Sequence, residues 1–454
     1  MPRPGAREYI PLTAEGEARL NEAIGDRAER LFETVPDELR LTRDLDLPEP
    51  LAEDDLTRLA RNLAGANITC AQTASFLGAG CYDHFIPAAV DEMALRGEFL
   101  TAYTPYQAEA SQGTLTATFE YQTMIAELTG LEISNASVYD GATALAESVL
   151  MARRIRRGGG AVVVSEAVHP EYLEVLRTYL QFSDVEVRTA PLDGGVTDLE
   201  KLSGLLDGAF AVVAASPNFY GAVEDLRSIF EAGNEAGALG IAVVNPISLG
   251  VLEAPGNLGA EIACGDGQPL GCPQSFGGPA FGFIATREKH IRKLPGRIVG
   301  ETRDPEGRRG FCLTFQTREQ HIRREKATSN ICTNNALMAI RAAVYCSLLG
   351  PTGIREVGQR CLAKAHYAAE RISYLGGYEL ALDVPFFDEF LIRTPVPARE
   401  VVHIAAEKGF LAGVPLSRFF PERENELLVA VTERRQRVEI DEFAEVLDEI
   451  GGGK

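Results

Sequence analysis

Four segments combine residue types and spacing suited to chemistry. In YDGATALAESVLMARR (139–154), Gly141, Ala142 and Thr143 lie just ahead of a helical pattern. Free backbone N–H groups and the helix dipole favour an anion there. Ser137, Asp140 or Thr143 would serve equally as plain helix caps. In AYTPYQAEASQG (102–113), Tyr103, Thr104, Pro105, Tyr106 and Gln107 form a loop entering a helix, and aromatics in such a place either line a site or pack on one another. GDGQPLGCPQSFGGPAFGF (265–283) packs Gly and Pro between two strand-like runs, at the kind of strand end where open α/β sheets bind ligands. In QTREQHIRREKATSNICTNNA (316–336), Arg318, His321, Arg323, Arg324 and Lys326 are followed by Thr328, Ser329 and Asn330. Together they could hold a phosphate or carboxylate, or form a solvated helix face capped at Thr328 or Ser329. His84, His290, His366 and His403 have no HxH or HExxH spacing, so no metal site is expected. No GxSxG or GxxxxGK[ST] is present.

The elements that must position these segments read as α/β. Short apolar runs at 161–165, 185–189, 210–216, 240–246, 262–267 and 281–286 alternate with helix-length stretches, the pattern of a mostly parallel sheet covered on both faces. The second half of FLTAYTPYQAEASQGTLTATFEYQTMIAELTG reads as a helix, with Leu115, Phe119, Ile125 and Leu128 on one side and Gly130 as its stop. Strands near 387–394 and 426–433, followed by a helix at 437–450, suggest a smaller α+β domain. The expected organisation is an N-terminal helical extension (1–65), a large α/β domain (66–335) and a small C-terminal domain (336–454), with GGGK as a loose tail.

With 454 residues, 45% hydrophobic and 24% charged, the chain can bury a large core, which excludes collagen-like, disordered and disulfide-stapled classes. A net charge of −21 argues against nucleic acid as a partner. The start, MPRPGAREYIPLT, lacks a secretory apolar region, no run nears the ~18 apolar residues of a membrane span, and the eight Cys form no CxxC pair. These features point to a cytoplasmic protein with reduced thiols and no membrane partner. Lysine is scarce: seven in all, none before 201 and none in 202–288.

FLGAGCYDHFIPAAVDE, YTPYQAEASQGTLTATFEYQTMIAELTG, NASVYDGATALAE and QTREQHIRREKATSNICTNNAL, in this order, resemble the P-protein of the glycine cleavage system over about residues 7–450. The length is similar to the N-terminal-half subunit of members split into two chains. The resemblance implies a fold-type-I pyridoxal-phosphate (PLP) architecture: a seven-stranded, mostly parallel sheet in a large domain plus a small domain. It also implies glycine decarboxylation on PLP, with the aminomethyl group passed to the lipoyl group of H-protein and release of CO2.

Laid on the family's catalytic half, Gln268 falls where a cofactor-linking Lys is needed, and Asn245 where an Asp should pair the pyridinium nitrogen. Asn cannot supply that charge. The chain is therefore expected to have no catalytic residue of its own and to complete a site whose PLP is covalently held by a second subunit, in a two-plus-two heterotetramer. The resemblance puts Thr328, Ser329 and Asn330 at the partner's PLP phosphate. Tyr103, Thr104, Pro105, Tyr106 and Gln107 would wall the glycine pocket or lipoyl channel, with Arg318, His321, Arg323 and Arg324 orienting that loop or meeting a carboxylate. The turn at Gly141–Thr143 would keep a phosphate-cup shape without a cofactor. Two other readings stand beside this one: a standalone PLP decarboxylase or lyase using Lys289 or Lys293, and a scaffold or regulatory pseudoenzyme.

Overall fold

The computed structural model describes residues 13–25, 31–43, 45–156 and 160–452; the leader reading over 1–12 and the last two residues of the GGGK tail lie outside them. The chain forms two compact units, Met1–Asn67 and Ile68–Lys454. In the first, Thr13 caps a helix Ala14–Ile24 by accepting from Gly16 N. A second helix, Glu53–Gly65, carries exposed Leu56, Leu59 and Leu63 and buries no residue.

The second unit is organised by a seven-stranded sheet: β1 (Ile133–Ser134), β2 (Ala161–Ser165), β3 (Glu186–Ala190), β4 (Ala209–Ala215), β5 (Leu239–Val243), β6 (Ile262–Asp266) and β7 (Gly282–Thr286). Their order is β1-β7-β6-β5-β4-β2-β3, with β7 antiparallel to both neighbours and the other pairings parallel. AVVVS, AFAVVAA and LGIAV are buried at every position because helices cover both faces, which is why they read as continuous apolar runs.

Successive residues serve opposite cores. Val162, Val164 and Val213 share a cluster with Leu145 and Val149, whereas Val163, Val212 and Ala214 share one with Tyr121, Ile125, Ile229 and Phe230. The covering helices are α1 (Gln112–Thr129), α2 (Gly141–Arg156), α3 (Pro170–Leu180), α4 (Leu226–Glu235) and α5 (Ala336–Ser373). Helix α5 has the length and hydropathy of a membrane span. It breaks at Gly350, before Pro351, and packs Ala339, Ala343 and Tyr345 into the core.

A hairpin of β8 (Ile298–Arg303) and β9 (Arg309–Thr314) was not anticipated; its outer half is charged and exposed, leaving little apolar pattern. A four-stranded antiparallel sheet follows, of β10 (Glu379–Leu380), β11 (Glu389–Arg393), β12 (Val414–Pro415) and β13 (Glu426–Ala430), ordered β10-β11-β13-β12. Helix α6 (Arg437–Ile450) packs beside it, started by a capping box of Gln436 and Glu439. Ala74–Ser75 pairs parallel with Phe410–Leu411, and Phe76 stacks on Phe443 at 4.1 Å between ring centroids. A segment from the start of the expected large domain thus completes the C-terminal core.

Candidate functional site

Strands β2, β4, β5 and β6 direct their carboxyl ends toward one cleft, where ligands of open α/β sheets bind. The cavity there measures only about 70 Å³ and is lined by His169, Tyr172, Asn245, Asp266 and Glu389 among others. Cofactor and ligand sites commonly enclose about 300–1,000 Å³.

Its contents explain the small volume. At the start of α2, Gly141 N donates to Asp266 Oδ2 at 3.0 Å and Thr143 N to Asp140 Oδ1 at 2.7 Å. Two carboxylates of the chain itself therefore occupy the position an anionic ligand would take. A Cβ at Gly141 would overlap the Tyr172 hydroxyl and approach Asp266 N at 2.8 Å, so only glycine admits this close packing. Burial pushes the Asp266 carboxyl up to about 6, against the opposing hydrogen bonds from Gln268 N and Gly141 N.

Gln268, buried, accepts from Tyr82 N at 2.9 Å and donates to the carbonyls of Tyr82 and Cys272 at 3.0 and 2.8 Å. Its amide clamps two loops together and presents no nucleophile. Asn245 Oδ1 accepts from Ile247 N at 3.0 Å, and its Nδ2 is buried without a hydrogen-bond partner. With a clamp, an amide, a filled anion cup and little volume, these residues do not fit a PLP held by this chain. Lys289 and Lys293 are no substitute: both lie on a one-sided 3-10 turn (Glu288–Lys293) away from the cleft, and Lys289 Nζ pairs with Glu261 at 2.8 Å.

The 102–107 loop and the segment after Asn330 meet elsewhere. Tyr103 and Thr104 share a second cavity with Thr333–Met338. Tyr103 and Tyr106 are exposed, with Pro105 and Gln107 beside them in the same loop, and Tyr106 carries a hydrogen bond from Arg297. Thr328 and Ser329 are half-buried and Asn330 exposed. They cap no helix, since α5 starts at Ala336 with Asn335 at its N-cap. Ser329 Oγ instead accepts from Ile331 N at 3.0 Å.

The expected basic cluster does not converge. Arg318 points inward, donating to the carbonyls of Leu294 and Gly296, and its burial lowers it to about 10. The Arg318 backbone carbonyl also accepts from Thr328 N at 3.0 Å, which ties the two ends of this segment together. His321, Arg323 and Arg324 stay exposed; His321 sits 3.6 Å from Glu319, and Arg323 donates to its own turn at Thr317 O. Exposure lets solvent screen those three charges.

Sequence reasoning missed a buried acidic group at the wall of the cleft. Glu389 accepts from Ala79 N at 2.7 Å and from the Tyr82 hydroxyl at 3.0 Å, yet burial raises it to about 8. Burial likewise raises Asp388 to about 7, and its Oδ2 has no partner. Glu433 goes the other way: burial notwithstanding, the hydrogen bond and charge of His84, whose Nδ1 is 2.7 Å away, hold it near 2. Cys361 Sγ also donates to Glu433 Oε2, at 3.4 Å. His84, isolated in sequence, thus joins Cys361 and Glu433 with ligand atoms within 4.8 Å, held by their own hydrogen bonds.

This network sets a pH profile. Unfolded, Asp266, Asp388 and Glu389 release their protons near pH 4; folded, they hold them to about 6, 7 and 8. The native state binds more protons across that window, so stability falls as pH rises through it. His84, raised by Glu433, adds stability below its unfolded value that is lost with rising pH. Glu433 contributes above about pH 4.5 and loses its contribution as pH falls toward 2. The melting temperature of the chain should peak near pH 4–4.5 and fall as pH rises, by on the order of 5 °C by pH 8.5. A melting curve that is flat or rising over that interval contradicts the assignment.

The comparisons with known proteins agree along nearly the whole chain. The family model "Glycine cleavage system P-protein" matches residues 7–447. A probable glycine dehydrogenase (decarboxylating) subunit 1 of Moorella thermoacetica is 50% identical over 435 residues, covering 95% of this chain and 97% of that protein. A crystal structure of glycine decarboxylase (P-protein) of the glycine cleavage system, in inhibitor-bound form, superposes with a TM-score of 0.88 at 48% identity, covering 97% of this chain and 99% of that one. A glutamate decarboxylase of Lactobacillus brevis shares the fold at 13% identity (TM-score 0.67, covering 94% and 96%).

Proposed function

Because the chain belongs to the glycine cleavage system P-protein family, we propose that it is the half of a two-subunit glycine-decarboxylating enzyme that completes the site without holding the cofactor. In this reading the second subunit holds PLP covalently. PLP supplies the electron sink for decarboxylation, and the aminomethyl group passes to the lipoyl arm of H-protein. Two copies of each subunit assemble, in the cytoplasm. The observation that carries the reading is the filled cofactor position: Gln268 tied to Tyr82 and Cys272, with Asp266 seated on Gly141 N.

Within that assembly the chain's own residues bind and orient. The exposed Tyr103–Gln107 loop would wall the approach of glycine and the lipoyl arm. Thr328, Ser329 and Asn330, on a surface loop steadied by Arg318, would donate to the phosphate of the partner's cofactor. The exposed position of that loop supports a role toward another chain.

Glycine-dependent CO2 release with lipoylated H-protein tests the reading: each subunit alone should be inactive and the mixture active. Full activity of the second subunit alone would overturn it. In the assembled enzyme, Thr328→Ala with Ser329→Ala should weaken PLP binding about tenfold, as expected for lost hydrogen bonds to a charged group. Unchanged PLP affinity would refute the phosphate role.

A further inference from the structure

A second cavity, of about 260 Å³, shares no lining residue with the filled cleft. Arg297, Tyr103, Thr104, Asn334 and the first turn of α5 line it. Arg297 is only 6% exposed. Its Nη1 donates to Asn334 Oδ1 at 3.3 Å, its Nη2 to the Tyr106 hydroxyl at 3.2 Å, and its Nε has no hydrogen-bond partner. Both acceptors are neutral. Among the described residues, no carboxylate forms an ion pair with Arg297.

The start of α5 adds potential of the same sign. Asn335, at the N-cap, makes no capping hydrogen bond, because its Nδ2 donates to the carbonyls of Tyr139 and Ala280 at 2.9 and 2.6 Å. Ala336, Leu337 and Met338, the first turn of α5, line the cavity, and no side chain caps their N–H groups. A buried guanidinium without a counter-charge is costly, and a helix N-terminus beside it raises the local positive potential further. One anion in the cavity would answer both.

We infer that this cavity is a binding site for the oxyanion of a small ligand, a carboxylate or a phosphate, held by Arg297 and the first turn of α5. The guanidinium fork and the backbone donors suit oxygens spaced as in either group. Tyr103 and Thr104, both hydroxyl-bearing, also line the cavity. That the oxyanion belongs to glycine or to the partner's cofactor rests on the function proposed above. Oxyanion binding itself does not.

The test begins with the full chain alone, titrated with inorganic phosphate and with acetate against chloride at matched ionic strength. Calorimetry and melting temperature are the readouts. The wild type should show saturable binding of at least one oxyanion. Arg297→Gln should weaken it about tenfold or more, and Arg297→Lys should recover part of the loss. Ala336→Pro provides an independent arm. Proline is tolerated at the first helical position and deletes one N–H there, so binding should weaken several-fold with Arg297 intact. No saturable binding to the wild type, or binding by either Arg297→Gln or Ala336→Pro as tight as that of the wild type, overturns the inference.

In the assembled enzyme, Arg297→Gln raising KM for glycine with PLP affinity unchanged identifies the carboxylate, and the converse identifies the phosphate. Oxyanion binding that depends on Arg297, with neither parameter moved on assembly, supports the site and rejects its placement in the glycine-decarboxylating reaction.

Discussion

Incubated with PLP and reduced with borohydride, the chain alone is expected to carry no pyridoxyl-lysine. With the second subunit present, the label should map entirely to that subunit. Three features converge on this outcome. No Lys occurs between 202 and 288, the stretch that forms the cleft floor. The cavity of about 70 Å³ is too small for the cofactor. The anion cup is taken by Asp266. Gln268→Lys should not rescue labelling, because it breaks the clamp on Tyr82 and Cys272 while leaving the cup filled. A pyridoxyl-lysine on the wild-type chain alone, at Lys289 or Lys293 in particular, would restore the standalone reading.

The largest expected loss of stability comes from Gly221→Ala. Gly221 has φ +85, and a Cβ there would overlap the carbonyl of Glu389, where β11 begins. Backbone cannot swing aside as a side chain can, and β11 is fixed by its register with β13. Asn218 Oδ1 further pins the turn by accepting from Tyr220 N and Ala222 N. The variant should lose more than about 4 kcal/mol, appearing as a melting point lower by on the order of 10 °C or as insoluble protein. Gly237→Ala separates the causes: its φ is +83 but nothing lies within 4 Å, so backbone strain alone acts, about 1–2 kcal/mol. Equal losses for the two variants would show that the overlap at Gly221 carries no weight.

The strands of the large sheet were legible because burial on both faces leaves an unbroken apolar run, and the expected positions of β2 and β4 to β7 agree with the observed ones to within a residue or a few. The antiparallel course of β7 was not legible. Strand direction is fixed by pairing with Cys264 and Ser134, partners its own sequence does not encode. Strand β1, two residues long, gives no periodic signal. The same holds for the chemistry. Gln268 and Asn245 were found through absences, a missing Lys and a missing Asp, whereas Asp266 reaches Gly141 across 125 positions and could not be read from spacing. Arg318 to Arg324 stood out as a basic run, yet the run divides into one buried clamp and three solvated charges. Arg297 drew no notice, because one arginine beside a Pro-Gly turn looks like surface until its burial is known.

The self-capped start of α2 also bears on how such an enzyme is put together. A protein whose native state binds a cofactor gains stability with each increase in cofactor concentration. A chain that seats its own Asp266 in the cup escapes that linkage. On the function proposed above, its folding equilibrium would be indifferent to cofactor supply, and it would accumulate in a competent form ahead of its counterpart. Loading then becomes the concern of one gene product rather than two.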